Sequence, residues 1–203
     1  MSLREKNKAR TRIAILNATK ALAKQGQWNS LTTRQIAEAA EVSYQTLYNY
    51  YPSKASILVE MLLEVYVGPG PAIDDAVKQY NGDLLSTIDE INQLRFQSFS
   101  NDDVKWILNI TASLTVPDQS SEAINLIETI DQAGDGYYYS ALSMAKGMGH
   151  LKDDVDIQLM AHTLSGITQT TLSRCILDSA KARALTRTMR QQIEQLVQPY
   201  LVV

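Results

Sequence analysis

The sequence predicts an all-α protein of about nine helices, and three observations carry that expectation. No stretch alternates apolar and polar residues with period two between hairpin turns. The few Gly and Pro residues are clustered. The two C-terminal segments carry apolar residues at helical spacing: Met160, Leu164, Ile167, Thr171 and Cys175, then Leu185, Met189, Ile193, Leu196 and Tyr200.

Each helix follows from its caps and its stripe. Lys8–Gln25 places Ile15, Ala18 and Leu22 on one face, with Gly26 as a stop. Thr33 reads as the cap of a short helix reaching about Ala40, and Ser43 as the cap of another over Tyr44–Tyr50 that ends before Pro52. Ser53 caps a helix starting at Lys54 and carrying Ile57, Leu58, Met61, Leu62 and Val65, which Gly68-Pro69-Gly70-Pro71 breaks. Helical patterns resume over Ala72–Tyr80, Leu84–Phe99, Val104–Thr115 and Ser121–Met148, then Asp156–Asp178 and Lys181–Leu201. Pro117 separates two of these helices, and Gly134 and Gly136 lie inside one. Residues 8–67 are expected to form one domain and 72–203 a second.

At 203 residues the chain is long enough to bury a core without staples. Cys175 is the single cysteine, which excludes an intramolecular disulfide or thiolate metal cluster and fits a reducing cytoplasm. No apolar run approaches membrane-spanning length, so neither membrane association nor a signal peptide is expected. Charge is unevenly shared. Residues 1–60 hold nine Lys/Arg against four Asp/Glu, and residues 61–203 hold ten against eighteen. A basic module facing a polyanion and an acidic module with another task follow from that split.

Thr33–Lys54 carries the function. Two short capped helices are joined through Glu41-Val42-Ser43, with Val42, Ile36 and Ala37 expected to lock the corner. This is helix-turn-helix spacing, in which the second helix enters the major groove. Gln and Asn can bond adenine edges, Thr methyls pack on thymine, and Tyr and Lys reach phosphate. The candidate DNA contacts are Thr33, Arg34, Ser43, Tyr44, Gln45, Thr46, Tyr48, Asn49 and Lys54, with Tyr51 expected in the core. The basic run Arg4–Arg12 is a further candidate for lying near DNA.

Residues 8–65 resemble the DNA-binding domain of the TetR family of transcriptional regulators. Arg12-Ile13, Gly26, Thr32-Thr33, Ile36-Ala37, Ala40-Glu41-Val42-Ser43, Thr46-Leu47-Tyr48, Tyr50-Tyr51, Ser53-Lys54 and Leu58 carry the resemblance. Glu41 departs from it, standing where the family has a Gly that takes positive φ. The Gly-Pro interruption departs too, falling in a helix that is normally continuous. The resemblance implies a dimeric regulator, most often a repressor, whose C-terminal core binds a small ligand. It also implies dimerisation through the last two helices and a palindromic double-stranded operator, in the cytoplasm at the nucleoid. Leu164, Ile167, Thr171, Leu185, Met189, Ile193 and Leu196 are the expected dimer stripe.

Phe96, Phe99, Trp106, Tyr137 and Met144 are the candidate ligand contacts, with Asn109, Thr111 and Gln132 as weaker polar ones. Of Tyr137-Tyr138-Tyr139, at least one must face outward. His150 and His162 lack metal-ligand spacing, and no metal or other cofactor is expected. No Gly-rich phosphate loop, HExxH or G-x-S-x-G elbow supports an enzyme. The alternative is a helical interaction module that has lost specific DNA recognition.

Overall fold

The computed structural model describes residues 2–25, 28–99, 104, 106–107 and 121–202. Gly26, Asn109, Thr111, Pro117 and most of the helix expected over Val104–Thr115 lie outside the described residues. The described residues divide into two compact units, one drawn from 1–64 and 102–124 and the other from 65–101 and 125–203.

The first unit begins with α1, Leu3–Lys24, longer at its start than expected because Ser2 and Glu5 form a reciprocal capping box. A single 3₁₀ turn, Trp28–Ser30, leads to α2, Thr33–Ala39. Its cap is Thr32, not Thr33: Thr32 Oγ1 accepts from Gln35 N at 3.3 Å, and Gln35 Oε1 accepts from Thr32 N at 2.8 Å. Helix α3, Tyr44–Tyr50, is capped by Ser43 as expected. Helix α4, Lys54–Val67, starts from a reciprocal Ser53–Ser56 pair. Ile15, Leu16, Trp28, Ile36, Leu47, Ile57 and Met61 are buried and form the centre of this unit.

The second unit contains the end of α4 from Val65, α5, Gly70–Lys78, α6, Leu84–Gln97, α7, Ser121–Gly147, from Asn125 onward, α8, Ile157–Leu177, and α9, Ala182–Val197. Only Gly68 and Pro69 separate α4 from α5. An α-helix would bond the Val67 carbonyl to the N–H of residue 71, but Pro71 has none. Tyr137 supplies the missing donor, its hydroxyl giving to Val67 O at 3.2 Å. Lys54–Lys78 is, by length and composition, apolar enough to cross a membrane, contrary to the sequence expectation. Within it, however, Ile57, Leu58, Met61, Leu62, Ile73 and Val77 are buried in the protein.

The core of this unit joins Ile73, Leu84, Ile88, Ile91, Tyr138, Leu142, Leu164, Met189 and Ile193 in one cluster. Of the three tyrosines, Tyr137 and Tyr138 are buried and Tyr139 faces out. The glycines in α7 do not end it. Gly134 allows close approach instead, since a Cβ there would come to 2.4 Å from Ser165 Oγ. Asp156 caps α8 by accepting from Gln158 and Leu159 N–H. The chain end returns beside residues 150–152, with Lys152 N to Tyr200 O at 2.9 Å and Val202 N to His150 O at 3.0 Å. His150 Nδ1 pairs with Tyr80 Oη at 3.0 Å, and His162 Nδ1 with Asp135 at 2.9 Å.

The expected dimer stripe divides between the chain's own core and its surface, where Ile167, Thr171 and Leu185 line a shallow groove. Leu164 is fully buried, and Met189 and Ile193 are nearly so, all in the chain's own core; Thr171 is buried too. Side chains already filling one protomer's interior cannot meet a partner. Ile167, Leu185 and Leu196 remain half-buried at the margin.

Candidate nucleic-acid interface

The corner between α2 and α3 is built from backbone bonds. Glu41 N gives to Glu38 O at 3.0 Å and Val42 N to Ala37 O at 3.0 Å. That pair of bonds is a Schellman motif, which requires the residue after the helix cap to be left-handed. Glu41 fills that place with φ of +54°, the strain its sequence position implied. Ile36 and Ala37 are buried behind the corner, while Val42 is only half-buried. Ser43 follows at once, its hydroxyl accepting from Thr46 N at 3.0 Å and lying 2.7 Å from Thr46 Oγ1.

Leu47, fully buried, fixes which face of α3 points outward. Tyr44, Gln45, Tyr48 and Asn49 form that outer face, all exposed. Residues i and i+4 stack along it. Tyr44 and Tyr48 have ring centroids 6.4 Å apart, and Gln45 Nε2 donates to Asn49 Oδ1 at 3.1 Å. Arg34 joins from α2, its guanidinium carbon 5.6 Å from the Tyr44 ring. A contiguous strip of two amides, two phenols and a guanidinium results, with donors and acceptors open to base edges and phosphates. Thr33 is half-buried, and the Ser43 and Thr46 hydroxyls are engaged in the cap.

Lys54 is turned inward. Its ammonium donates to Trp28 O at 2.7 Å and Leu31 O at 3.1 Å, and sits 4.7 Å from the Trp28 ring centroid. Burial lowers its pKa below the ordinary lysine value. The side chain ties the 3₁₀ turn to the start of α4, a task that sequence position alone did not reveal. Tyr51, buried as expected, donates to Glu60 Oε2 at 2.7 Å, and Glu60 also pairs with Arg12 of α1. Burial, reinforced by that bond, raises the Tyr51 phenol well above its usual range. Beside this triad, a groove of about 1160 Å³ brings Arg4, Lys8 and Arg12 of α1 together with Asn49 and Tyr50. The basic N-terminal run therefore borders the end of the α3 face.

The candidate ligand residues are dispersed. Phe99 is buried and packs edge-on against Tyr66 at 4.9 Å. Tyr137 is committed to Val67, Phe96 lines a groove between α6 and α9, and Trp106 is half-buried. Met144 lies on the surface, which removes it from any interior cavity. Gln132 is exposed as well. Sequence reading missed a buried polar cluster in the same unit. Tyr138 Oη donates to Asn92 Oδ1 at 2.6 Å, lies 2.8 Å from Thr168 Oγ1, and accepts from Arg95 Nη1 at 3.1 Å. The available signal was a polar pair, Asn92 and Arg95, on the same side of a helix as Ile88 and Ile91. Cys175 is half-buried, and burial raises its pKa, the reverse of an activated thiolate.

A capped corner that presents an aromatic and amide face on the second of two short helices has the geometry of a helix-turn-helix. Comparison with known proteins agrees. Residues 15–61 match the profile of the bacterial regulatory proteins, tetR family. The HTH-type transcriptional repressor KstR of Rhodococcus jostii is 48% identical over 48 residues, 24% of this chain and 23% of that protein. The match thus spans about a quarter of that relative's length. A tetR-family structure from Syntrophomonas wolfei superposes with a TM-score of 0.72 at 20% identity, covering 94% of this chain and 95% of that one. FadR of Thermus thermophilus, solved with lauroyl-CoA, gives 0.65 at 20% identity, covering 91% and 90%. Residues 15–61 are thus similar to the DNA-binding region of the tetR family of bacterial regulatory proteins, and the chain as a whole shares the fold of solved members.

Proposed function

We propose that this protein is a dimeric, sequence-specific transcriptional repressor whose operator affinity is set by a small molecule bound in its second unit. The exposed Tyr44-Gln45-Tyr48-Asn49 face of α3 carries the reading. Its polar groups suit direct readout of bases, while Arg34 and the basic groove supply the sequence-independent phosphate attraction. The KstR head, similar over 48 residues, belongs to a repressor, and the FadR structure holds an acyl-CoA. Both features come to this chain as proposals.

A two-fold dimer places two heads on a palindrome. The surface that supports it is the outer face of α8 and α9, not the buried stripe. There Gly166, Ile167, Thr170, Leu185, Thr188 and Gln192 line a shallow groove of about 340 Å³. Small residues there permit close helix approach around a four-helix bundle. In this reading the protein acts in the cytoplasm, on the nucleoid.

Recovery and sequencing of genomic fragments at fixed salt tests the function. Wild type is expected to enrich one palindromic motif, and Gln45→Ala/Tyr48→Ala to lose that enrichment. Indiscriminate recovery by both would overturn the reading in favour of an interaction module that holds nucleic acid through charge alone.

A further inference from the structure

A groove of about 580 Å³ runs between α6 and α9, within the size range of small-molecule sites. Phe96 and Met189 give it apolar walls, and Arg183, Arg187 and Arg190 contribute three guanidinium groups. These arginines recur at i, i+4 and i+7, so they share one face of α9. Leu185, Thr188 and Gln192, on the proposed dimer face, lie on a different side of the same helix. Among the described residues only Arg190 of the three is ion-paired. Arg190 Nε contacts Asp89 at 3.0 and 3.1 Å, whereas Arg183 and Arg187 have no acid at ion-pair distance among the described residues.

Asn92 also lines this groove. It is 3% exposed, and its amide nitrogen is buried without a partner among the described residues. A buried donor left unpaired is costly, so its retention calls for an explanation. The orientation of the amide is fixed from behind. Tyr138 Oη at 2.6 Å and Thr168 Oγ1 at 3.1 Å both donate to Asn92 Oδ1, which leaves the N–H groups as the free end. Arg95, buried and with no acid at ion-pair distance among the described residues, donates to Tyr138 Oη at 3.1 Å. That chain from guanidinium to phenol to amide polarises Asn92 as a donor. The groove thus combines a buried donor and two guanidinium groups without acid partners among the described residues with apolar walls, and its one carboxylate, Asp89, is taken up by Arg190.

We propose that the α6–α9 groove binds an amphipathic organic anion, with its acidic head on Asn92 and the Arg183/Arg187 pair and its apolar body against Phe96 and Met189. Binding at this groove does not depend on what the head does. Its service as the effector site rests on the regulator reading above.

Calorimetric titration of the full chain with decanoate, and with 1-decanol as the uncharged control, tests the site. Decanoate is expected to saturate one site per chain, and 1-decanol to bind at least about tenfold more weakly. Arg183→Gln/Arg187→Gln removes exposed groups and leaves the core untouched, so it is expected to fold and to weaken decanoate by about tenfold or more. Asn92→Leu is expected to weaken it as well. Equal affinity in the double variant, equal affinity for 1-decanol, or no saturation by decanoate would each overturn the site. Adding decanoate to the complex with the recovered palindromic motif separates the two readings. Binding that the arginine variant weakens, without release of DNA, keeps the groove and removes its effector role. Release of DNA that the arginine variant does not alter keeps the regulator and removes the groove.

Discussion

Glu41 and Lys54 each hold a conformation that a different residue, or a different environment, would make easier. Glu41 sits at φ +54° because the Schellman bonds of α2 require a left-handed residue there. A side chain in that region costs about 1–2 kcal/mol, partly offset by the backbone entropy a glycine would lose. Glu41→Gly is therefore expected to stabilise the first unit by about 0.5–1 kcal/mol, measured by urea denaturation, with DNA affinity little changed. Lys54 is expected to behave oppositely. Its ammonium satisfies the carbonyls of Trp28 and Leu31, so Lys54→Met should cost about 1–3 kcal/mol of stability. Salt titration of operator binding tells the two roles of Lys54 apart. A lysine that holds the turn lowers affinity on removal without altering the salt slope, whereas a direct phosphate contact lowers the slope by about 1. Inward placement favours the first outcome. Sequence reading found the residue and its neighbourhood but not its direction, because a lysine at a helix start has both carbonyls and solvent within reach. The tyrosines show the same limit: Tyr51 was legible as core, but its hydroxyl's partner, Glu60, lies nine residues on and depends on how α4 packs.

Helix breaks and the cap at Ser43 were the most legible elements, because Ser43 and the Gly-Pro segment act on their own backbone; the cap of α2 was missed by one residue. What repairs a break is not local. The Val67 carbonyl loses its helical donor to Pro71 and gains the hydroxyl of Tyr137, 70 residues away. Tyr137→Phe is expected to cost about 1 kcal/mol in the native background. In a Pro71→Ala background, where an N–H returns to the helix, the same change is expected to cost markedly less, and a double-mutant cycle measures the difference. Helices α7 and α8 are joined by Asp135 and His162, and the carboxylate raises the histidine's pKa above its ordinary 6.5. A group with a raised folded pKa adds stability below pH 6.5 and loses it as pH rises through the folded value. The pair is exposed, so the effect is small. The unfolding midpoint is expected to fall slightly between pH 6 and pH 8, and His162→Gln to flatten that part of the profile.

At the scale of the molecule, an apolar stripe shows that a helix is buried but does not say against what. Leu164, Met189 and Ile193 recur at the spacing of a bundle seam, and that spacing serves the chain's own core. The face proposed for a partner carries Ile167, Thr171 and Leu185 of the expected stripe among Gly166, Thr170, Thr188 and Gln192, a mixed and partly polar surface that the hydrophobic pattern marks only in part. The buried Asn92–Tyr138–Arg95 chain was illegible for a related reason, since its members come from separate helices and meet only after packing. The exposed face proposed to read DNA was legible because one short helix carries nearly all of it. Two substitutions separate core from interface. Met189→Ala empties a buried site and is expected to cost about 2–5 kcal/mol of stability, with association of the remaining folded chains unchanged. Thr188→Glu, on the exposed face, leaves the core intact but sets like charges facing one another across a two-fold axis. Light scattering is expected to show monomers for Thr188→Glu with helix content unchanged by circular dichroism. Binding to a palindrome should fall sharply while binding to a half-site persists, since each head keeps its contacts and only their pairing is lost. An unchanged dimer in Thr188→Glu would move the interface away from the outer face of α8 and α9.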